Sequence, residues 1–184
     1  MRILNLSLDT KALENGSAVQ QRLIALAEKV GEMTVFVPAE RDRTEKISEH
    51  LTVFSFGGLK LIQLWKMWRV GKRLFTFHFS LSTRVDLITV QDPYFLGILG
   101  VKLSEKTGIP LEVQVHGLEK FSGIRKHVAK YVLQYAAKIR VVSERLKSFL
   151  NSEFSIQNSE FLYKTFGNSC LIYVARFGPN CFKF

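Results

Sequence analysis

Residues 85–120 read VDLITVQDPYFLGILGVKLSEKTGIPLEVQVHGLEK. An apolar run at 86–90 is followed by Asp92-Pro93, where proline holds the preceding residue extended. A stretch of helical length, 95–107, then ends at Gly108 and Pro110, a pairing that stops a helix. The next run, 110–116, alternates: Val113 and Val115 face one way, Gln114 and His116 the other, and Gly117 frees the backbone to turn. A strand, a helix and a strand in this order make a crossover unit, the building block of a parallel sheet.

The same alternation extends in both directions. Strands are expected near 2–8, 34–38, 51–56, 86–90, 110–116 and 138–142, with helices near 18–30, 59–77, 95–107, 121–136 and 143–151. Leu23, Leu26, Ala27 and Val30 recur at helical spacing, as do Val128, Tyr131, Val132 and Tyr135. The fold class is therefore α/β, a parallel sheet with helices on both faces. Gly31 caps the first helix, and Gly97 and Gly100, one turn apart, allow the third to approach the sheet closely. Residues 1–150 form one domain. The polar, Asn- and Ser-rich segment 151–169 reads as a linker, and 170–184 as the opening strand of a further unit that breaks off.

Composition narrows the partners. The 184 residues carry 26 Lys and Arg against 16 Asp and Glu, a net charge of +10, which favours phosphorylated ligands, an anionic lipid surface or nucleic acid. The basic residues fall mostly on helices, without zinc-finger spacing or an aromatic RNA-binding motif, so nucleic acid is not expected. Cys170 and Cys181 lack metal or disulfide spacing and read as thiols in a reducing compartment. No apolar run has the length of a signal-peptide core or a membrane span, so the expected location is cytoplasmic.

In a parallel sheet, ligands gather at the carboxyl ends of the strands. Gly16-Ser17 follows the first strand; it either turns the chain and caps the helix, or offers backbone N–H groups to a phosphate. Asp92 follows the fourth, as a helix cap or a ligand contact. His116, with Gly117 and Glu119 after it, follows the fifth, and a structural and a functional role fit it equally. No Walker or dinucleotide glycine pattern, no catalytic triad order and no metal-binding histidine motif occurs. Residues 59–79 pair an apolar stripe of Leu61, Leu64, Trp65, Trp68 and Phe75 with Lys60, Lys66, Arg69, Lys72 and Arg73. Such a helix either packs on a core with a solvated basic side or lies in an anionic membrane interface.

Taken together, ENGSAVQQRLIALAEKVGEMTVFVP (14–38), residues 85–119 and IRVVSERLKSFL (139–150) resemble the N-terminal Rossmann half of a family 4 (group 1) glycosyltransferase of the GT-B type. The resemblance covers roughly residues 1–150. It implies two Rossmann-like domains facing across a cleft, the first holding the acceptor and the second a nucleotide sugar. It also implies transfer with retained configuration, without a metal or other cofactor, to a glycan or lipid-linked acceptor in cell-envelope or exopolysaccharide synthesis. Gly16 and Ser17 would lie against the donor diphosphate and His116 beside the transferred sugar as the catalytic residue, with Asp92, Gly117 and Glu119 on the acceptor and sugar side. IYVARFGP (172–179) resembles the first strand of the second domain, which would make Arg176 a diphosphate ligand. Basic helices of lipid-acceptor members match Lys60, Trp65, Lys66, Trp68, Arg69, Lys72 and Arg73 as membrane-facing residues, implying a peripheral position on the inner face of the cell membrane. The chain departs from the family pattern at Cys181, where a lysine is usual, and in lacking the Pro-Asn-Gly crossover. An inactive remnant that binds only acceptor or membrane is the alternative.

Overall fold

The computed structural model describes residues 1–76, 85–117 and 123–154, together with the strands at 159–166 and 169–176. In chain order the strands are β1 (Arg2–Leu6), β2 (Glu32–Pro38), β3 (Arg43–Lys46), β4 (Leu51–Phe56), β5 (Leu87–Val90), β6 (Leu111–Val115), β7 (Lys138–Val141), β8 (Ser159–Phe166) and β9 (Ser169–Arg176). The helices are α1 (Ala18–Val30), α2 (Lys60–Thr76), α3 (Phe95–Thr107), α4 (Gly123–Tyr135) and α5 (Glu144–Phe154), with a 3-10 turn at Thr10–Leu13. One sheet runs β3-β4-β2-β1-β5-β6-β7-β9-β8. Its six strands β4-β2-β1-β5-β6-β7 are mutually parallel, and they are the six that apolar periodicity marks.

Alternation along each strand divides the interior into two layers. Leu4, Leu6, Phe36, Ile88, Val90, Val113 and Ile139 face a core shared with α2, α3, α4 and α5. Ile3, Met33, Val35, Val37, Leu51 and Val53 face Leu23 and Ala27 of α1 on the opposite side. Buried aliphatic side chains of this kind contribute roughly 1.5–3 kcal/mol each, so the parallel arrangement rests on these two layers. Helix α3 approaches closely, as expected from its glycines. A Cβ at Gly100 would stand 2.7 Å from Val90 Cγ1, and one at Gly97 would stand 2.7 Å from Val132 Cγ1. Gly100 thus seats the helix on the sheet, and Gly97 seats it against α4.

Three elements differ from expectation. β3 pairs antiparallel with β4 at the sheet edge; its sequence RTEK is exposed at three of four positions, so no apolar period marks it. The segment read as a linker holds the end of α5, all of β8 and the first residue of β9, and β9 pairs antiparallel with β7 and β8. Both join the first sheet. Fully apolar and mixed-polarity strands can equally extend an existing edge, and here the hairpin covers the edge that β7 would otherwise present.

Candidate functional site

The parallel strand order reverses between β1 and β5, and the crevice at such a reversal is where open α/β sheets hold ligands. Here the two strand tips are stitched together. Ser7 Oγ donates to Gln91 Oε1 at 2.7 Å, and Gln91 N donates to Leu6 O at 3.1 Å. Ser7 Oγ also accepts from Asp9 N at 3.0 Å, which starts the turn into residues 10–17.

That turn is fixed by its own side chains. Ser17 Oγ accepts from Gln20 N at 3.0 Å and donates to Lys11 O at 2.6 Å. Gly16 N donates to Gln20 Oε1 at 3.0 Å, and Gly16 has φ of 74°, the left-handed region that glycine enters without strain. The Ser17 hydroxyl is therefore occupied in capping α1, and the Gly16 amide in holding the loop.

Asp92 follows β5 and is only 8% exposed. Its carboxylate accepts from Leu96 N at 3.4 Å and caps the first turn of α3. Burial raises its pKa above the usual carboxylate value; the Leu96, Tyr94 and Phe95 amides and the Arg125 guanidinium oppose that shift without cancelling it. Arg125, near the start of α4, lies 5.7 Å from the centre of the Tyr94 ring, a cation–π distance. Burial, followed by the charge of Asp92, raises the Tyr94 phenol pKa.

Asp92, Tyr94 and Arg125 border a cavity of about 530 Å³ between the amino-terminal turns of α2, α3 and α4, walled also by Leu8, Lys60, Leu61, Leu64, Met67 and Phe95. This volume lies within the roughly 300–1,000 Å³ of small-molecule sites. A second cavity of about 520 Å³ lies beside it, over the tips of β2 and β4, with Arg41, Arg43, Thr10 and Gln63 in its walls. Gln63 and Pro38 belong to both.

The expected site residues separate into groups. Asp92 and Lys60 line the first cavity; Gly16, Ser17 and His116 line neither. His116 and Gly117 stand exposed beyond the tip of β6. Partial desolvation, and then the positive charge of Arg140, lower the imidazole pKa below its ordinary value, which favours the neutral ring. Glu119 lies outside the described residues. The register Lys138↔Ala175 sets Arg176 beyond the amino-terminal end of β7, the sheet edge opposite His116, so the backbone does not bring those two together.

Helix α2 divides the expected membrane-facing residues. Leu64, Trp68 and Phe75 pack against the core, and Lys72 Nζ sits 3.5 Å from the centre of the Trp68 ring. Lys66 Nζ pairs with Asp42 Oδ2 at 2.6 Å and donates to Gly57 O at 3.0 Å. Leu61, at 79%, and Trp65, at 53%, are exposed, as are Lys60, Arg69 and Arg73. The apolar stripe is thus split: Leu64, Trp68 and Phe75 meet the core, whereas Leu61 and Trp65 lie on its exposed flank. Among the described residues, no helix is long and apolar enough to cross a membrane.

Arg125, Tyr94 and Ser7 escaped the sequence reading. Each sits just past a strand or at the first turn of a helix along the carboxyl rim, and that position is the one signal that marks them.

No curated protein sequence matches the chain. The UDP-GlcNAc 2-epimerase from Methanocaldococcus jannaschii superposes with a TM-score of 0.55 at 15% identity, over 83% of this chain and 42% of that one. An α,α-trehalose-phosphate synthase (UDP-forming) from Burkholderia xenovorans, solved with glucose-6-phosphate, gives a TM-score of 0.46 at 12% identity, over 95% of this chain and 47% of that one. The chain thus spans less than half the length of these structures. The first likeness supports a Rossmann-like α/β fold. The model of Glycosyltransferase Family 4 matches residues 19–161, more than half the sequence, and the chain belongs to that family.

Proposed function

We propose that this domain is the acceptor-binding half of a retaining, nucleotide-sugar-dependent glycosyltransferase acting in cell-envelope or exopolysaccharide synthesis. The observation that carries the reading is the cavity at the carboxyl rim, bordered by Asp92, Tyr94 and Arg125, in a chain of family 4. In the proposed reaction an acceptor oxygen bonds to the anomeric carbon of the donor sugar, the bond from that carbon to the diphosphate breaks, and the nucleoside diphosphate leaves with the electron pair. The acceptor proton departs with the diphosphate or to solvent, and no metal takes part.

His116 stands on the same rim, and its lowered pKa favours the neutral ring, which donates one hydrogen bond and accepts another. Its proposed task is to hold a sugar hydroxyl and to offset charge as the glycosidic bond breaks. The donor diphosphate requires more than this domain: micromolar affinity corresponds to about −8 kcal/mol, and the Gly16 and Ser17 groups are already engaged within their own loop. Transfer from a radiolabelled nucleotide sugar should accordingly be undetectable with the 184-residue chain alone and appear when a C-terminal donor-binding partner is supplied. In that reconstituted system His116→Ala should lower turnover by about a hundredfold or more. Unchanged turnover removes His116 from the mechanism.

A second reading, an acceptor- or membrane-binding module without turnover, is favoured by the exposed Leu61 and Trp65 beside Lys60 and Arg69. Binding of anionic vesicles without sugar transfer, even with the partner present, selects it.

A further inference from the structure

The cavity between α2, α3 and α4 has walls ill suited to a soluble glycan. Of the polar groups bordering it, two are engaged with backbone partners, the Asp92 carboxylate accepting from Leu96 N and Gln63 Nε2 donating to Ala39 O at 2.9 Å, and two more, Lys60 and Arg125, are cations. Sugar hydroxyls entering there would give up water without a matching set of partners, a loss each buried polar group feels. The apolar side chains are the ones left open: Leu8 and Phe95 are each 55% exposed and Leu61 is 79% exposed, while Met67 closes the floor at 0%. An aliphatic chain laid against them would remove that surface from water.

Charge fixes the other end of the occupant. Lys60 and Arg125 border the same cavity. Among the described residues Lys60 has no ion pair, and Arg125 rests over the Tyr94 ring, leaving its outer N–H groups for an anion. The buried Asp92 carboxylate would repel an anion from the floor, so a negative head belongs at the mouth and a neutral tail inside. The exposed apolar surface also continues from the mouth along α2, through Leu59, Ile62 and Trp65, which gives a chain a route from a lipid surface.

We propose that this cavity binds a lipid phosphate, its aliphatic chain against Leu61, Phe95 and Met67 and its phosphate on Lys60 and Arg125. The inference rests on the acceptor role argued above in taking this lipid as the acceptor, and it goes further in choosing a phosphorylated amphiphile over a soluble glycan.

Isothermal titration of the chain with alkyl phosphates below their micelle concentrations tests it. Decyl phosphate should bind at least tenfold more tightly than hexyl phosphate, since each buried methylene contributes about a fourfold gain. Decanol should bind more weakly than decyl phosphate, and inorganic phosphate should not compete. Leu61→Glu should abolish the dependence on chain length, and Arg125→Gln should bring decyl phosphate down toward decanol. The Leu61 side chain is largely solvated, so that variant folds; circular dichroism checks this. Equal affinity for hexyl and decyl phosphate, competition by inorganic phosphate, or decyl phosphate binding unchanged in Leu61→Glu overturns the proposal. Tight decyl phosphate binding without sugar transfer in the two-domain system overturns the transferase reading alone. Transfer to a soluble glycan with no alkyl phosphate binding overturns this inference alone.

Discussion

The hydroxyl of Ser17 accepts from one amide and donates to one carbonyl, so both of its roles lie within the fold. Ser17→Ala should destabilise the domain by about 1 kcal/mol, the usual cost of losing such a cap, as read from the midpoint of urea unfolding. Asp92 behaves in the opposite sense. Burial holds its native pKa above 3.8, so the native state binds the proton more tightly than the unfolded chain. The penalty for ionised Asp92 is absent below the unfolded pKa and is fully present once the pH exceeds the native pKa. Relative to Asp92→Asn, the wild-type protein should therefore gain stability as pH falls from 7 to 4; urea titrations of both proteins at the two pH values measure the difference, and a gap that widens the other way refutes the assignment. The sequence offers Asp92 as a cap or a ligand contact, and the structure makes it both a cap and a cavity wall. What the sequence does not disclose is Arg125 beside it: the two come from different crossover units, and their proximity depends on how α3 and α4 pack, which no local spacing encodes.

At the level of elements, α3 packs through glycines. Replacing Gly97 by alanine would drive a methyl group to 2.7 Å from Val132 Cγ1 and 3.0 Å from the Asp92 carbonyl oxygen. Gly97→Ala should cost about 1–3 kcal/mol, as overpacking does, and should raise the urea sensitivity of α4 with it. Helix α2 is proposed as a peripheral membrane contact. Trp65→Asp should lower recovery of the protein with anionic liposomes in flotation while leaving the unfolding midpoint within about 0.5 kcal/mol of wild type, since surface substitutions rarely exceed that; equal recovery of both proteins, or equal binding to neutral vesicles, counts against the contact. The helix itself was legible from its repeat, as were the six parallel strands, because buried faces impose a period. Which flank of the α2 stripe meets the core was not, since Leu64 and Trp65 are neighbours in sequence and equally apolar, yet only Leu64 packs inward. β3 was invisible for a related reason: an edge strand solvated on both sides carries no apolar alternation. β8 lies wholly in the segment read as a linker, whereas β9 was read as a strand and misplaced only in its partners. A run of strand-forming residues states that a strand exists, and leaves open which edge it joins.

For the molecule as a whole, the two interior layers decide the architecture, and the strand reversal between β1 and β5 decides where chemistry collects. The rim holds Asp92 on the crossover from β5 to β6, and His116 and Arg125 on the crossover from β6 to β7, so its chemistry can vary loop by loop while the sheet stays the same. The order of the strands has a further consequence during synthesis. Among the described strands β1 leaves the ribosome before the others, yet it ends between β2 and β5, inside the sheet. One of its flanks is satisfied as soon as Glu32–Pro38 emerges, but the other stays bare until Leu87–Val90 has been made. The nascent chain therefore carries an open, apolar strand edge through the translation of the whole β3, β4 and α2 region, the period in which a chaperone has most to shield and in which a pause in translation would do the most harm.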